Sequence, residues 1–222
     1  MREQSSPPPG PAPAGTLVPA PLTIDPARTA LLMLHWQNDL AHEQGRAAGP
    51  LPGRLASAGT VERTRAVLEA SRRRDVLVAY VNASHRPGYP ELPAKPAPLA
   101  AAMVDAQAFL RGTWGTEVLD QLRPAAGDIE IANSSPSAFA GTDLDLVLRN
   151  RGITALVLTG LVTNWVVETT GRDALCRGYL VYTLADCCAS WDADAHDWSL
   201  ARVLPLLGAV SDSKAYLEAL AP

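Results

Sequence analysis

The sequence predicts an α/β domain built on a parallel sheet. Three observations carry that expectation. From Arg28 onward short apolar runs alternate with amphipathic stretches, as βαβ units do. Glycines stand between helical stretches and the strands that follow them. The last long amphipathic stretch has a helical period. In chain order, the first strand is expected over residues 30–34, an apolar run that ends in His35-Trp36-Gln37-Asn38-Asp39. A strand buried on both faces that delivers polar groups at its tip is how open parallel sheets meet a ligand. A helix over 61–73 and a strand over 76–81 follow, then a helix over 116–122 and a strand over 129–132. The next pairs are helix 144–151 with strand 155–159, and helix 164–177 with strand 180–184. Gly152 and Gly178 each close a helix just ahead of a strand, where a left-handed residue is wanted. In the helix 193–207, Leu200, Val203, Leu204 and Leu207 form one stripe at i, i+3, i+4 and i+7, facing the sheet. A short helix over 212–220, capped by Ser211, completes the predicted elements.

With 222 residues and 47% hydrophobic content the chain fits one packed domain, set at 28–222 and preceded by a Pro/Ala-rich tail over 1–27. The tail holds Pro7, Pro8, Pro9, Pro11, Pro13, Pro19, Pro21 and Pro26 among Ala, Gly and Ser, a composition that neither forms helix nor buries a core. The net charge of −4 comes without any long block of one sign, so nucleic acid is not an expected partner. No apolar run is long enough to cross a bilayer, and the first residues lack a secretory apolar segment, so a cytoplasmic protein with no membrane partner is expected. Cys176, Cys187 and Cys188 cannot make a disulfide framework and read as structural thiols. The long irregular segment 82–102, with five prolines, leaves the C-terminal end of a strand; it reads either as a substrate-side cover or as a plain surface loop.

The strand-tip segment at 31–40 resembles an active-site motif of the isochorismatase-like, or cysteine hydrolase, superfamily, and four further segments agree in order and spacing. They are Ser84-His85-Arg86-Pro87-Gly88-Tyr89-Pro90, Arg111-Gly112-Thr113-Trp114-Gly115, Ser137-Ala138-Phe139-Ala140-Gly141-Thr142-Asp143-Leu144, and Leu158-Thr159-Gly160-Leu161-Val162-Thr163-Asn164-Trp165-Val166-Val167-Glu168-Thr169-Thr170. The resemblance implies a three-layer αβα domain with a central, mostly parallel sheet, and a homodimer or homotetramer. It also implies a triad of aspartate, lysine and cysteine. The aspartate takes the thiol proton, the lysine eases negative charge, and the thiolate at a helix N-terminus attacks an amide or nitrile carbon. Backbone N–H groups at a turn that often holds a cis peptide, here between Leu161 and Val162, bind the oxyanion.

Carried over position by position, the aspartate falls on His35, the lysine on Asn133 and the cysteine on Val166. Val166 has no nucleophilic atom, so the thiol acyl-enzyme route is closed. Members that cleave the vinyl ether of isochorismate also lack the cysteine but keep the acid and the lysine. His35 at a strand tip can move protons at neutral pH, or it is a hydrogen-bonded buried histidine. Asn133 orients a carbonyl or serves the turn Asn133-Ser134-Ser135-Pro136. Trp114 is expected to border the pocket, Trp36 and Trp165 either border it or point into the core, and Phe139 forms core or pocket floor. Leu161, Val162 and Thr163 complete the expected binding surface, and a Thr163 or Ser134 nucleophile would need a base in reach. Nicotinamidase-type relatives carry a metal near this pocket and Asp39 with His42 has a suggestive spacing, yet the full ligand set is not visible, so neither metal nor cofactor is expected.

Three functions follow. The first is a fold-family member that binds a small, partly apolar molecule and catalyses a non-thiol acid/base step with His35, such as elimination, isomerisation, cyclisation or hydration. The second is a catalytically inactive binding or assembly subunit. The third is an ordinary family hydrolase of an amide or vinyl ether, which predicts sensitivity to thiol reagents.

Overall fold

The computed structural model describes residues 21–221. Among the described residues, six parallel strands form one sheet in the order β3-β2-β1-β4-β5-β6. They are β1 (Thr29–Leu34), β2 (Leu77–Ala83), β3 (Ile129–Asn133), β4 (Ala155–Leu161), β5 (Leu180–Ala189) and β6 (Ala209–Ser211). Alternation along the strands feeds two cores. Leu31 and Met33 of β1 pack with Val78, Tyr80 and Val157 on one face, while Ala30, Leu32 and Leu34 pack with Ala79, Val81 and Leu156 on the other. The helices are α1 (Asn38–Ala41), α2 (Leu51–Ala58), α3 (Thr60–Arg73), α4 (Pro98–Asp105), α5 (Leu144–Asn150), α6 (Glu168–Cys176), α7 (Ala193–Trp198), α8 (Leu204–Leu207) and α9 (Ser213–Ala219). Helices α2, α3 and α9 cover the first face, and α5 and α6 cover the second, which makes the three-layer αβα fold. Because the chain runs from β1 outward to β3 and then returns to β4 beside β1, the order reverses at the C-terminal ends of β1 and β4. A crevice opens at such a switch point.

Several elements differ from the sequence expectation for identifiable reasons. Residues 116–122 form no α-helix, only the end of a 3-10 turn at Trp114–Thr116 and a second one at Asp120–Leu122: Leu119 N–H donates to the Trp36 carbonyl (2.9 Å), Asn38 N–H to the Glu117 carbonyl (2.8 Å), and Val118 bridges Gln37. Pairing with the strand-tip segment outweighs helix propensity there. The helix expected over 193–207 forms over that whole span, but as α7 and α8 joined by a π turn at Ser199–Val203 ahead of Pro205, whose ring and missing N–H disturb the preceding turn. A second π turn, Thr163–Val167, precedes α6. Strand β5 runs on to Ala189 past a register shift opposite Leu158 and Gly160, and β6, of three residues, carries no sequence signal of its own. Asp212, not Ser211, caps α9, its side chain accepting from Ala215 N–H at 2.8 Å. Most of the expected N-terminal tail lies outside the described residues, but Leu22 and Ile24 already pack against the core, so the packed unit begins before residue 28. Among the described residues, no helix is long and apolar enough to cross a membrane.

Candidate functional site

Four strand ends converge on one cavity of about 150 Å³. His35 follows β1, Ser134 follows β3, whose last residue Asn133 stands behind the lining, His85 stands just beyond β2, and Val162 follows β4. His35 has φ 53°, a left-handed conformation uncommon for a non-glycine residue, and its N–H is held by the Val81 carbonyl at 2.9 Å. Tyr89 (φ 51°) and Phe109 (φ 58°) share that conformation and line the same cavity, and strained backbone of this kind concentrates at ligand sites.

His35 Nε2 meets Asn133 Oδ1 at 3.1 Å. The direction of that bond follows from the other end of the amide. Asn133 Nδ2 donates to the carbonyls of Ser135 (2.7 Å) and Ser137 (3.3 Å), so Oδ1 is the acceptor and Nε2 carries the proton. Asn133 therefore serves both its turn and His35. Burial drives the His35 pKa down to about 4, against the Asn133 hydrogen bond and with the repulsion of His85. At neutral pH the ring is uncharged, with Nδ1 bearing a lone pair.

The segment after β2 folds over this crevice and supplies Tyr89, Leu92, Leu99, Met103 and Phe109 to the lining. It is tied down through Asp39, which is 1% exposed and accepts from Phe109 N–H (2.6 Å) and Arg46 N–H (3.1 Å). Tyr89 Oη adds a bond to the Ala108 carbonyl at 2.8 Å. Asp39 thus acts as a backbone clamp. His42 stands edge-on to Trp114 with ring centroids 4.9 Å apart, and its Nδ1 accepts from Gln44 N–H, so the pair suggested by sequence spacing does not converge. Among the described residues, no three His, Cys, Asp or Glu side chains are grouped to hold a metal ion.

Val166 lines the cavity beside Val162, Trp165 and Ser134. The Leu161–Val162 peptide is cis, at the bond the resemblance marks. The N–H groups of Trp165, Val166 and Val167 all donate to the Val162 carbonyl, at 3.1, 2.9 and 3.2 Å, so they are spent within the turn and not aimed at the cavity. Other expected site residues lie elsewhere. Trp36 is fully buried in the core under α2, its Nε1 donating to Thr159 Oγ1 at 3.4 Å; the left-handed turn at His35 sends the two side chains apart. Trp114 is half-exposed outside the lining and contributes its carbonyl, which accepts from Asn38 Nδ2 at 2.9 Å. Phe139 packs in the opposite core, stacked on Tyr179 at 5.9 Å. Leu161 is core, and Thr163 is fully buried with Oγ1 2.8 Å from His196 Nδ1, away from the cavity.

The cavity also holds residues that sequence reasoning did not select: His85, Tyr89, Phe109 and Trp191, the last fixed by Nε1 donating to the Ala47 carbonyl at 2.9 Å. His85 had a signal, since it lies in a segment that matched the family loop beyond the second strand. The thiols do not reach the site. Cys187 and Cys188 are buried, and burial lifts both, Cys188 to about 12, so neither ionises near neutrality.

Comparison with known proteins gives the family and agrees with the fold. The isochorismatase domain model matches residues 29–215. The chain is 33% identical to the ureidoacrylate amidohydrolase RutB of Methylobacterium radiotolerans over 91% of its own length and 83% of that protein. Among solved structures, a cysteine hydrolase from Pseudomonas syringae superposes with a TM-score of 0.81 at 25% identity, covering 93% of this chain and 98% of that one. N-carbamoylsarcosine amidase from Thermoplasma acidophilum superposes with a TM-score of 0.67 at 34% identity, covering 84% and 96%.

Proposed function

The chain belongs to the isochorismatase family, and from that premise we propose that it hydrolyses a small, neutral, largely apolar substrate by delivering water, with no covalent bond to the protein. The observation that carries this reading is Val166, which presents only methyl groups to the cavity at the position where the resemblance calls for the thiol. Water is the nucleophile that the site can still bring to a carbon. Neutral His35, held in one tautomer by Asn133, accepts a hydrogen bond from that water at Nδ1 and orients it. The lining names the substrate class. Among the described residues that line it there is no Lys, Arg, Asp or Glu, so an anion would find no counter-charge. A cavity of about 150 Å³ takes a single ring or a short acyl chain. The similar amidohydrolase and amidase make the amide-type C–N bond the first to test.

The experiment is ammonia release from benzamide and nicotinamide, with ureidoacrylate as the anionic contrast, before and after iodoacetamide treatment. The expectation is that turnover of a neutral amide survives alkylation and falls about 100-fold or more in His35→Ala. Loss of turnover on alkylation would overturn the thiol-free reading. Benzamide binding without turnover of any amide would make the cavity a binding site only.

A further inference from the structure

We propose that a second imidazole, His85 backed by Glu91, is the group that takes and returns the proton in this cavity, while His35 stays neutral and orients the water. The inference deepens the hydrolytic reading above and rests on it for the reaction, though not for the geometry. His85 is fixed on both sides of its own peptide: its N–H donates to the Phe109 carbonyl and its carbonyl accepts from Arg111 N–H, each at 2.8 Å. The ring is 3% exposed and tilted against Tyr89 with centroids 5.4 Å apart. Its Nδ1 is buried without a hydrogen-bond partner and faces Glu91 Oε2 at 3.8 Å. Glu91 is anchored in turn by the Arg86 guanidinium at 2.8 Å. With Nδ1 turned to the carboxylate, Nε2 is the nitrogen left for the cavity that His85 lines.

The two histidines differ in what stabilises their charged form. The polar partner of His35 is a neutral amide, whereas His85 has a carboxylate close enough to favour an imidazolium in a poorly solvated wall. Burial lowers the pKa of His85, and the charge of Glu91 opposes that shift. The ionisable groups that face His85 are Glu91, Arg86 and Tyr89 of its own loop and His35 from the end of β1.

The step balances as follows. A water O–H bond breaks and its proton goes to His85 Nε2, while the oxygen lone pair bonds to the amide carbon and the C=O π pair moves to oxygen. When that pair returns, the C–N bond breaks and the leaving nitrogen takes the proton back from His85. Water is added across the C–N bond, and both imidazoles end neutral.

The test is histidine ring NMR on the full chain, whose four histidines are assigned by single His→Gln variants. In Glu91→Gln the His85 pKa should fall by about one unit while that of His35 stays within a few tenths. Benzamide, as the probe, should shift both His35 and His85 signals along one saturation curve. An unmoved His85 titration in Glu91→Gln, or benzamide shifts at His35 alone, would overturn the proposal. If Glu91→Gln does not fold, Arg86→Met removes the competing cation, and the His85 pKa should then rise; no rise would count against the couple. These readouts need no turnover, so they stand apart from success or failure of the amide assay.

Discussion

Acidification should destabilise this protein through His35 in a measurable and separable way. The ring is buried and its pKa is lowered from 6.5 to about 4, so the unfolded chain binds a proton more readily than the folded one between those values. The sign follows directly. Stability from this group is intact above about pH 6.5 and is lost as the pH falls toward 4. A gap of roughly 2.5 units at 1.36 kcal/mol each gives about 3 kcal/mol by pH 4. Other groups titrate in the same range, so the informative quantity is the difference between wild type and His35→Gln, which removes only this one proton. Urea unfolding of both at pH 7, 6, 5 and 4 should show wild type losing about 3 kcal/mol more than the variant across the series. Curves that stay parallel would refute the picture of a buried neutral imidazole.

Two substitutions test how the cavity is held. Asp39→Ala leaves the buried N–H of Phe109 and the part-buried N–H of Arg46 without their acceptor, and urea unfolding should show a loss of about 3 kcal/mol; a loss below about 1 would mean that the cover is not clamped there. Gly160→Ala places a Cβ 2.2 Å from the Leu34 carbonyl oxygen, at φ +137°, between the two strands that meet at the crevice. It should cost more than about 4 kcal/mol or abolish soluble protein, whereas Gly178→Ala, with nothing within 4 Å of the added Cβ, should cost about 1 kcal/mol; equal effects on melting temperature would contradict the packing argument.

The frame of this fold is legible in the chain because β1 to β5 are short apolar runs and the longer helices packed on the sheet show a stripe, whereas β6, α1, α2 and α4, the last starting inside the segment read as irregular, carry no such pattern. Residues 30–34 and 155–159 lie inside β1 and β4, and the helix expected over 61–73 begins one residue late relative to α3. What was illegible depends on partners distant in sequence. Residues 116–122 have helix-compatible composition, yet their backbone is claimed by Trp36 and Asn38. The same limit applies at the site. His35 and Trp36 are adjacent, and only the φ of 53° at His35 decides that one faces the cavity and the other the core. His85 reads as a loop residue among Ser, Arg, Pro and Gly, because the bonds to Phe109 and Arg111 that aim it come from a segment more than twenty residues onward. Asn133 is read from sequence as orienting a carbonyl or serving its turn; the structure shows the turn at one end of its amide and, at the other, a bond to His35 that no local pattern signals.

The most direct measurement is a crystal structure of the protein with benzamide at neutral pH. The ring is predicted to lie against Val166 and Trp165, with the carboxamide between His35 and His85 and no cysteine sulfur within bonding reach of its carbon. A carboxamide turned away from both imidazoles, or a ligand seated outside this cavity, would contradict the reading of the pocket as a thiol-free site that works through its histidines.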